Sequence, residues 1–253
     1  MTSLELPPNV HLSTHPSLQA KLSQLRSKSA SSRDTNALVH EISLIVACEA
    51  LSQSLTAIPG PKVRTQPDPR LVSAVPLPAN QQNNQDHTPI GAEYETTEVS
   101  PSTMCIVPIL RSGLAMVDAV QTMLPRPVPV HHLGMYREPS TLDPVEYYNN
   151  LPHHIPADST GSVASSLAIL VDPIIATGGT CAAAIQTLRE WGAKRVLVLS
   201  VLGAAEGVAQ AAREWPEGTE LWVAGVDKEL THEGMVKPGL GDVGDRLFLT
   251  IGK

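Results

Sequence analysis

The 253 residues are 42% hydrophobic and 17% charged, enough apolar content to bury a sizeable core and too much for a disordered chain. A formal net charge of -7 without any Lys/Arg run argues against a nucleic-acid partner, and one Phe, three Trp and four Tyr leave few rings for stacking on bases. Cys48, Cys105 and Cys181 are widely spaced with no CxxC pair, no apolar stretch reaches membrane-spanning length, and MTSLELPPNV is not a signal peptide. The expectation is a soluble cytoplasmic protein with buried thiols, no metal cluster and no membrane partner.

Along the chain, PSLQAKLSQLRSK (16–28) and residues 35–55 read as helices. In the second, Leu38, Val39, Ile42, Ile45, Val46 and Cys48 fall largely on one face, which must pack on the core or on a second subunit. Residues 59–91 are punctuated by prolines from Pro59 to Pro89 and carry the polar run QQNNQD at 81–86, so they read as an exposed excursion. From residue 102 the pattern changes. MCIVPIL (104–110), VPVHHL (128–133), SLAILV (166–171), RVLVLSVL (195–202) and ELWVAGV (220–226) are apolar runs of strand length. Helical stretches at 113–124, 180–191 and 204–214 separate several of them. This alternation predicts an α/β fold, with a mainly parallel sheet covered by helices on both faces. Ligands of such sheets bind at the carboxyl ends of the strands. The segment 134–165 reads as one long loop at that end, and RLFLT (246–250) as a final strand.

The chemistry concentrates in ILVDPIIATGGTC (169–181). An apolar strand delivers Asp172 to the sheet's edge, and Thr177, Gly178, Gly179 and Thr180 turn the chain into a helix. Glycines permit positive φ and close backbone approach, so successive N–H groups converge on one anion beside a helix N-terminus. A terminal monophosphate suits that cradle. Asp172 is placed to accept protons from ribose hydroxyls. Neither GxxxxGK[ST] nor GxGxxG occurs, which counts against ATP and dinucleotide binding. Taken alone, the TGGT turn also fits a purely structural role.

DPIIATGGT resembles the loop that binds 5-phosphoribosyl 1-diphosphate (PRPP) in type I phosphoribosyltransferases, in the form found in the uracil-specific branch. Where most of that superfamily has two adjacent acidic residues, this chain has Val171-Asp172-Pro173, as the uracil branch does. VPILRSGLAMVD (107–118), GMYREPSTLDPVEYYNNLP (134–152), VKPGLGDVGDRLF (236–248) and the helix LVHEISLIVACEAL (38–51) are similar to further segments of the same family, in order. The resemblance covers residues 16–58 and 92–253 and leaves the proline-rich excursion unmatched. It implies a single type I phosphoribosyltransferase domain over 1–253, a twisted and mainly parallel sheet with a smaller hood or arm region. The implied activity is transfer of the phosphoribosyl group from PRPP to N1 of uracil, giving UMP and pyrophosphate in pyrimidine salvage.

Site roles follow from the same resemblance. Arg111, Arg137, Asp242 and the run Asp172, Pro173, Ile174, Ile175, Ala176, Thr177, Gly178, Gly179 and Thr180 are the implied PRPP-binding residues. Val236, Gly241, Asp242 and Val243 would read uracil through main-chain groups. Arg137 and Asp242 are the candidate catalytic residues. No nucleophile–base pair is evident, and Asp242 stands nearest to a general base only by family placement. Mg²⁺ is implied as a companion of PRPP, held mainly through the substrate. A homodimer or higher homo-oligomer is implied too, and a GTP effector is left open. Tyr147 and Tyr148 read as packing or subunit-contact residues; His131, His132, His153 and His154 lack metal-ligand spacing. Met235 departs from the Tyr usual in the family, and Ser112, Ala115, Lys237 and Leu249 are further departures. Met235 keeps a rival reading in play, a catalytically silent member that senses PRPP or nucleotide.

Overall fold

The computed structural model describes residues 5–63, 88–90, 92, 94–138, 141, 143–152 and 164–250. His153, His154 and the QQNNQD run lie outside the described residues. The chain divides into two compact units, Leu55–Ser100 and the remainder.

The larger unit begins with β1 (Val10–Leu12), α1 (Pro16–Leu25) and α2 (Ser32–Ser54). The start of α2 lies upstream of the expected position because Ser31 and Asp34 close a reciprocal cap. The Asp34 N–H donates to Ser31 Oγ, and the Ser31 N–H donates to the Asp34 carboxylate, each at 3.1 Å. The smaller unit holds β2 (Thr56–Val63) and β3 (Tyr94–Ser100), paired antiparallel with a register shift between Pro59 and Lys62. The first residues of the expected excursion are therefore strand. A two-stranded ribbon tolerates Pro59 and Pro61 because each strand has an unpaired edge.

Returning to the larger unit, β4 (Met104–Leu110), α3 (Leu114–Met123), β5 (Leu133–Arg137), β6 (Pro144–Asn149), β7 (Leu167–Val171), β8 (Ile174–Ile175) and α4 (Gly179–Trp191) follow. They lead to β9 (Val196–Ala204), α5 (Ala205–Glu214), β10 (Thr219–Asp227), β11 (Glu229–Leu230), β12 (Val236–Lys237) and α6 (Val243–Phe248). The main sheet runs β1-β10-β9-β7-β4-β5-β6, with β8 added alongside β9. Every pairing in it is parallel except β5 with β6. The α/β expectation holds.

Strands β7 and β9 are buried at every position, as their unbroken apolar runs require. Alternate residues face opposite layers. Val107, Ile109, Leu170 and Val198 join Ile185, Leu188 and Val208 of α4 and α5 in one core. The other set, including Ile106 and Ile169, is equally buried, and α2 and α3 pack against β9 and β4. Each fully buried aliphatic side chain contributes roughly 1.5–3 kcal/mol.

Three expectations need correction. The strand expected at 128–133 starts only at Leu133, with Val130 making an isolated bridge to Ile106, because Pro127 and Pro129 supply no ladder N–H. The loop expected over 134–165 contains the antiparallel β5–β6 hairpin. RLFLT is not a strand. Its first residues finish α6, whose N-cap is Asp242, accepting the Asp245 N–H at 3.0 Å.

Candidate active site

β4 and β7 are parallel neighbours with Pro108 opposite Val171. The sheet grows from them in opposite directions, through β5 on one side and β9 on the other. That is a switch point, where the carboxyl ends leave a crevice. A cavity of about 370 Å³ lies there, and its walls include Arg111, Asp172, Thr177, Met235, Gly241 and Asp242. Three segments distant in sequence thus meet in one place.

Asp172 is only 7% exposed and its carboxylate accepts the Ser112 hydroxyl at 3.3 Å. The chain bends at Pro173 but does not leave the sheet there. The Pro173 carbonyl accepts the N–H groups of Val201 and Leu202, and Ile174–Ile175 continue beside β9. The turn from the sheet into α4 therefore falls after Ile175, over Ala176 to Gly178, and α4 starts at Gly179. Gly178 caps α4 at φ 90°, and the first N–H groups of the helix lack intrahelical partners. Ile174, Ile175, Ala176, Thr177, Gly178 and Thr180 line the cavity, whereas Pro173 and Gly179 do not.

What holds the cradle is a contact that the sequence did not reveal. A Cβ on Gly178 would fall 2.2 Å from the Gly207 carbonyl oxygen, and a Cβ on Gly207 would fall 1.9 Å from that of Ala176. The loop backbone and the first turn of α5 therefore touch directly. On the opposite flank, a Cβ on Gly113 would lie 2.4 Å from the Val171 carbonyl oxygen, so α3 also starts hard against β7.

Arg111 is exposed, follows a cis Leu110–Arg111 peptide, and lies 5.8 Å from the centroid of the Phe248 ring. Arg137 is the last residue of β5, opposite Pro144. Tyr147, expected to serve packing or a subunit contact, packs its ring over Gly134, where a Cβ would meet it at 2.7 Å, and also lines the cavity. The hairpin is tied to α4 by Thr187, whose hydroxyl donates to Glu146 at 3.4 Å. Nearby, the Trp191 indole donates to the Pro152 carbonyl at 2.9 Å. His131 packs edge-on against Trp191 at 5.7 Å, and burial, with His132 beside it, lowers its pKa.

On the remaining wall, Val236, Gly241, Asp242 and Val243 all reach the cavity, joined by Met235 and Leu240. The Lys237–Pro238 peptide is cis, and Gly239 and Gly241 have φ of 63° and 78°. Gly241 has open space around its Cβ position, leaving its backbone accessible. Asp242 is exposed while capping α6. Asparagine caps nearly as well as aspartate and alanine does not. Asp242→Asn should therefore keep the melting temperature and Asp242→Ala should lower it, which melting curves check.

Cys181 lines the cavity but is buried, and burial with the Asp172 carboxylate close by pushes its thiol pKa far up. Burial raises Cys105 as well, against an opposing hydrogen bond to Ser165. A thiolate is the reactive form. The native protein should therefore take up at most one alkyl group, at exposed Cys48, and all three only after unfolding; intact mass after iodoacetamide treatment reads this out.

Comparison with known proteins accords with this geometry. The family model described as "Uracil phosphoribosyltransferase" matches residues 70–250. A protein of that name from Thermoanaerobacter sp. (strain X514) is 35% identical over 242 residues, 96% of this chain and 98% of its own. Another, from Clostridioides difficile (strain 630), is 35% identical over 236 residues, 93% and 96% of the two chains. The solved AQ2163 protein from Aquifex aeolicus superposes with a TM-score of 0.75 at 24% identity, over 95% of this chain and 98% of that one, so the two share a fold.

Proposed function

Because the chain belongs to the uracil phosphoribosyltransferase family, we propose that this cavity transfers the phosphoribosyl group of PRPP to N1 of uracil, yielding UMP and pyrophosphate. The observation that supports it best is the meeting of Arg111, the Asp172–Thr180 segment and the Met235–Val243 segment around one cavity.

The backbone N–H groups at Thr177–Thr180 hold the 5′-phosphate at the α4 N-terminus. Asp172 accepts protons from the ribose hydroxyls. Arg111 and Arg137 hold the diphosphate, for which a guanidinium offers two parallel donors. Main-chain groups of Val236, Gly241, Asp242 and Val243 meet the N3–H donor and the carbonyl acceptors of uracil. Cytosine inverts part of that pattern and strands a buried polar group at a cost of about 1–3 kcal/mol.

As the bond from the anomeric carbon to pyrophosphate breaks with its electron pair and the bond to N1 forms, positive charge grows on the ribose and negative charge on the leaving group, and the N1 proton passes to water or to the departing pyrophosphate. The chain acts by positioning the reactants and by the charges of its arginines. The carboxylates of Asp172 and Asp242 are hard oxygen donors of the kind Mg²⁺ accepts. Mg²⁺ bound with PRPP supplies further neutralisation of the diphosphate. Assembly as a homo-oligomer in the cytoplasm, with or without a GTP effector, completes the reading.

The test is incubation of the protein with Mg²⁺, PRPP and uracil, cytosine or a purine in turn, with and without GTP. UMP from uracil and no nucleotide from the other bases is expected. Binding of PRPP without any UMP would overturn the proposal in favour of a silent, nucleotide-sensing protein, a reading kept because Met235 lines the cavity. The Met235 thioether cannot donate a hydrogen bond as a phenol does.

A further inference from the structure

The base-facing loop is fastened from a distant part of the chain. Arg26, the C-cap of α1, makes a two-pronged ion pair with Asp227 at the end of β10, at 2.8 and 2.7 Å. The same guanidinium donates to the Gly239 carbonyl at 2.8 Å, and Asp227 accepts the Gly239 N–H at 2.9 Å. Both polar groups of one peptide residue are thereby held by one charge pair. Arg246 repeats the device one residue on, donating to the Leu240 carbonyl at 2.8 Å, the Leu25 carbonyl at 2.7 Å and the Ser27 carbonyl at 3.0 Å.

Neither Arg26, Asp227 nor Arg246 lines the cavity, but Leu240 and Gly241 do. The Asp227 side chain is 9% exposed and that of Arg26 is 28% exposed. A pair this shielded from water holds its geometry more firmly than a surface pair, and losing one partner leaves the other charge uncompensated. Gly239 cannot supply rigidity itself: its φ is positive, and it folds back so tightly that a Cβ would lie 2.0 Å from the Val236 carbonyl oxygen. The loop's shape is imposed from outside it.

We propose that Arg26 is a positioning residue for base recognition, which it controls by holding, with Asp227, the Gly239–Leu240 backbone against the end of α1. It rests on the assignment of the Val236–Val243 segment to uracil. The phosphate cradle makes none of these bonds, so the effect is confined to the base half of the site. Loosening the clamp lets the main-chain donors and acceptors drift from the uracil edge, while Asp172 and Thr177–Thr180 on the opposite wall make none of the clamp's bonds.

The test compares Arg26→Ala, Arg26→Lys and Asp227→Asn with the parent protein, measuring KM for uracil, kcat, direct PRPP binding and melting temperature. Each charged hydrogen bond of this kind favours the held loop conformation by roughly tenfold or more, and uracil affinity falls with the population of that conformation. Arg26→Ala should therefore raise KM for uracil by at least about tenfold, with PRPP dissociation changed less than about twofold. Lysine reaches the carboxylate or the carbonyl but not both, so Arg26→Lys should fall between alanine and arginine. That ordering in KM for uracil would support the proposal. A purely structural role would instead lower the PRPP-binding fraction and kcat together, with both KM values unchanged, and would overturn it; Arg26→Lys and Asp227→Asn keep the test decisive if Arg26→Ala does not fold. Gly241→Ala serves as the control on the underlying assignment. If Gly241→Ala raises KM for uracil and the Arg26 variants do not, the clamp is refuted; if Gly241→Ala alters PRPP binding alone, the base assignment itself fails.

Discussion

Asp172→Asn should lower kcat/KM for PRPP on the order of a hundredfold or more while KM for uracil changes little. The carboxylate sits at the end of a strand with no exposed residue and is itself 7% exposed. Asparagine matches it in shape and still accepts the Ser112 hydroxyl, so the fold should survive. What is lost is the charge, and with it the strength of two hydrogen bonds from ribose hydroxyls, each about 1.5–3 kcal/mol when the acceptor is ionised. One oxygen also becomes an NH₂ group that opposes a hydroxyl donor. Initial rates over a matrix of PRPP and uracil concentrations check this, and equal changes in the two KM values would contradict the ribose role.

Gly207→Ala is expected to be the next most damaging change, although Gly207 lies in none of the site motifs read from the sequence and touches no substrate in the proposed arrangement. The added methyl carbon would stand 1.9 Å from the Ala176 carbonyl oxygen, 2.7 Å from its carbon and 2.8 Å from the Thr177 carbonyl carbon. All three are backbone atoms, so no side chain can swing aside. Overpacking of this kind costs about 1–3 kcal/mol, taken up by moving either α5 or the cradle. Because α5 is packed on β9, β10 and α4, the cradle is the part that yields. PRPP affinity should fall by at least roughly tenfold, a shift of about 1.4 kcal/mol, with a lower melting temperature and a smaller change in KM for uracil. Calorimetric titration with PRPP beside a thermal melt reads out both effects, and unchanged PRPP affinity would show that the cradle is not set by this contact.

The elements that the sequence made legible are those whose environment is uniform. β4, β7 and β9 are buried from both sides and β10 at most positions, so their apolar runs mark them within a residue or two of their observed ends. The turn into α4 was legible because Thr177, Gly178, Gly179 and Thr180 follow an apolar strand and precede a helical stretch. β6 was not, since PVEYYN is mostly exposed and shows no two-residue alternation. α6 was missed because three apolar residues in RLFLT outweighed the Asp242–Asp245 capping signal. The clamp around Gly239 lay beyond local reading altogether: Arg26 and Asp227 are separated by 201 positions, and each alone reads as an ordinary surface charge. Gly207 carried a faint signal, as a glycine inside an otherwise helical stretch that often marks close packing.

The parallel pairing of β1 with β10, Val10 opposite Leu221 and Leu12 opposite Val223, bears on the order in which the protein is made. Residues 10–12 leave the ribosome well before the strand they need. Until residue 227 has emerged, the edge of β1 has no partner, and the end of α1 has nothing to hold. Contacts so far apart in sequence form late and slowly. The newborn chain thus carries an open strand edge for the whole interval between the two strands, and exposed edges of this kind are where growing chains are prone to aggregate.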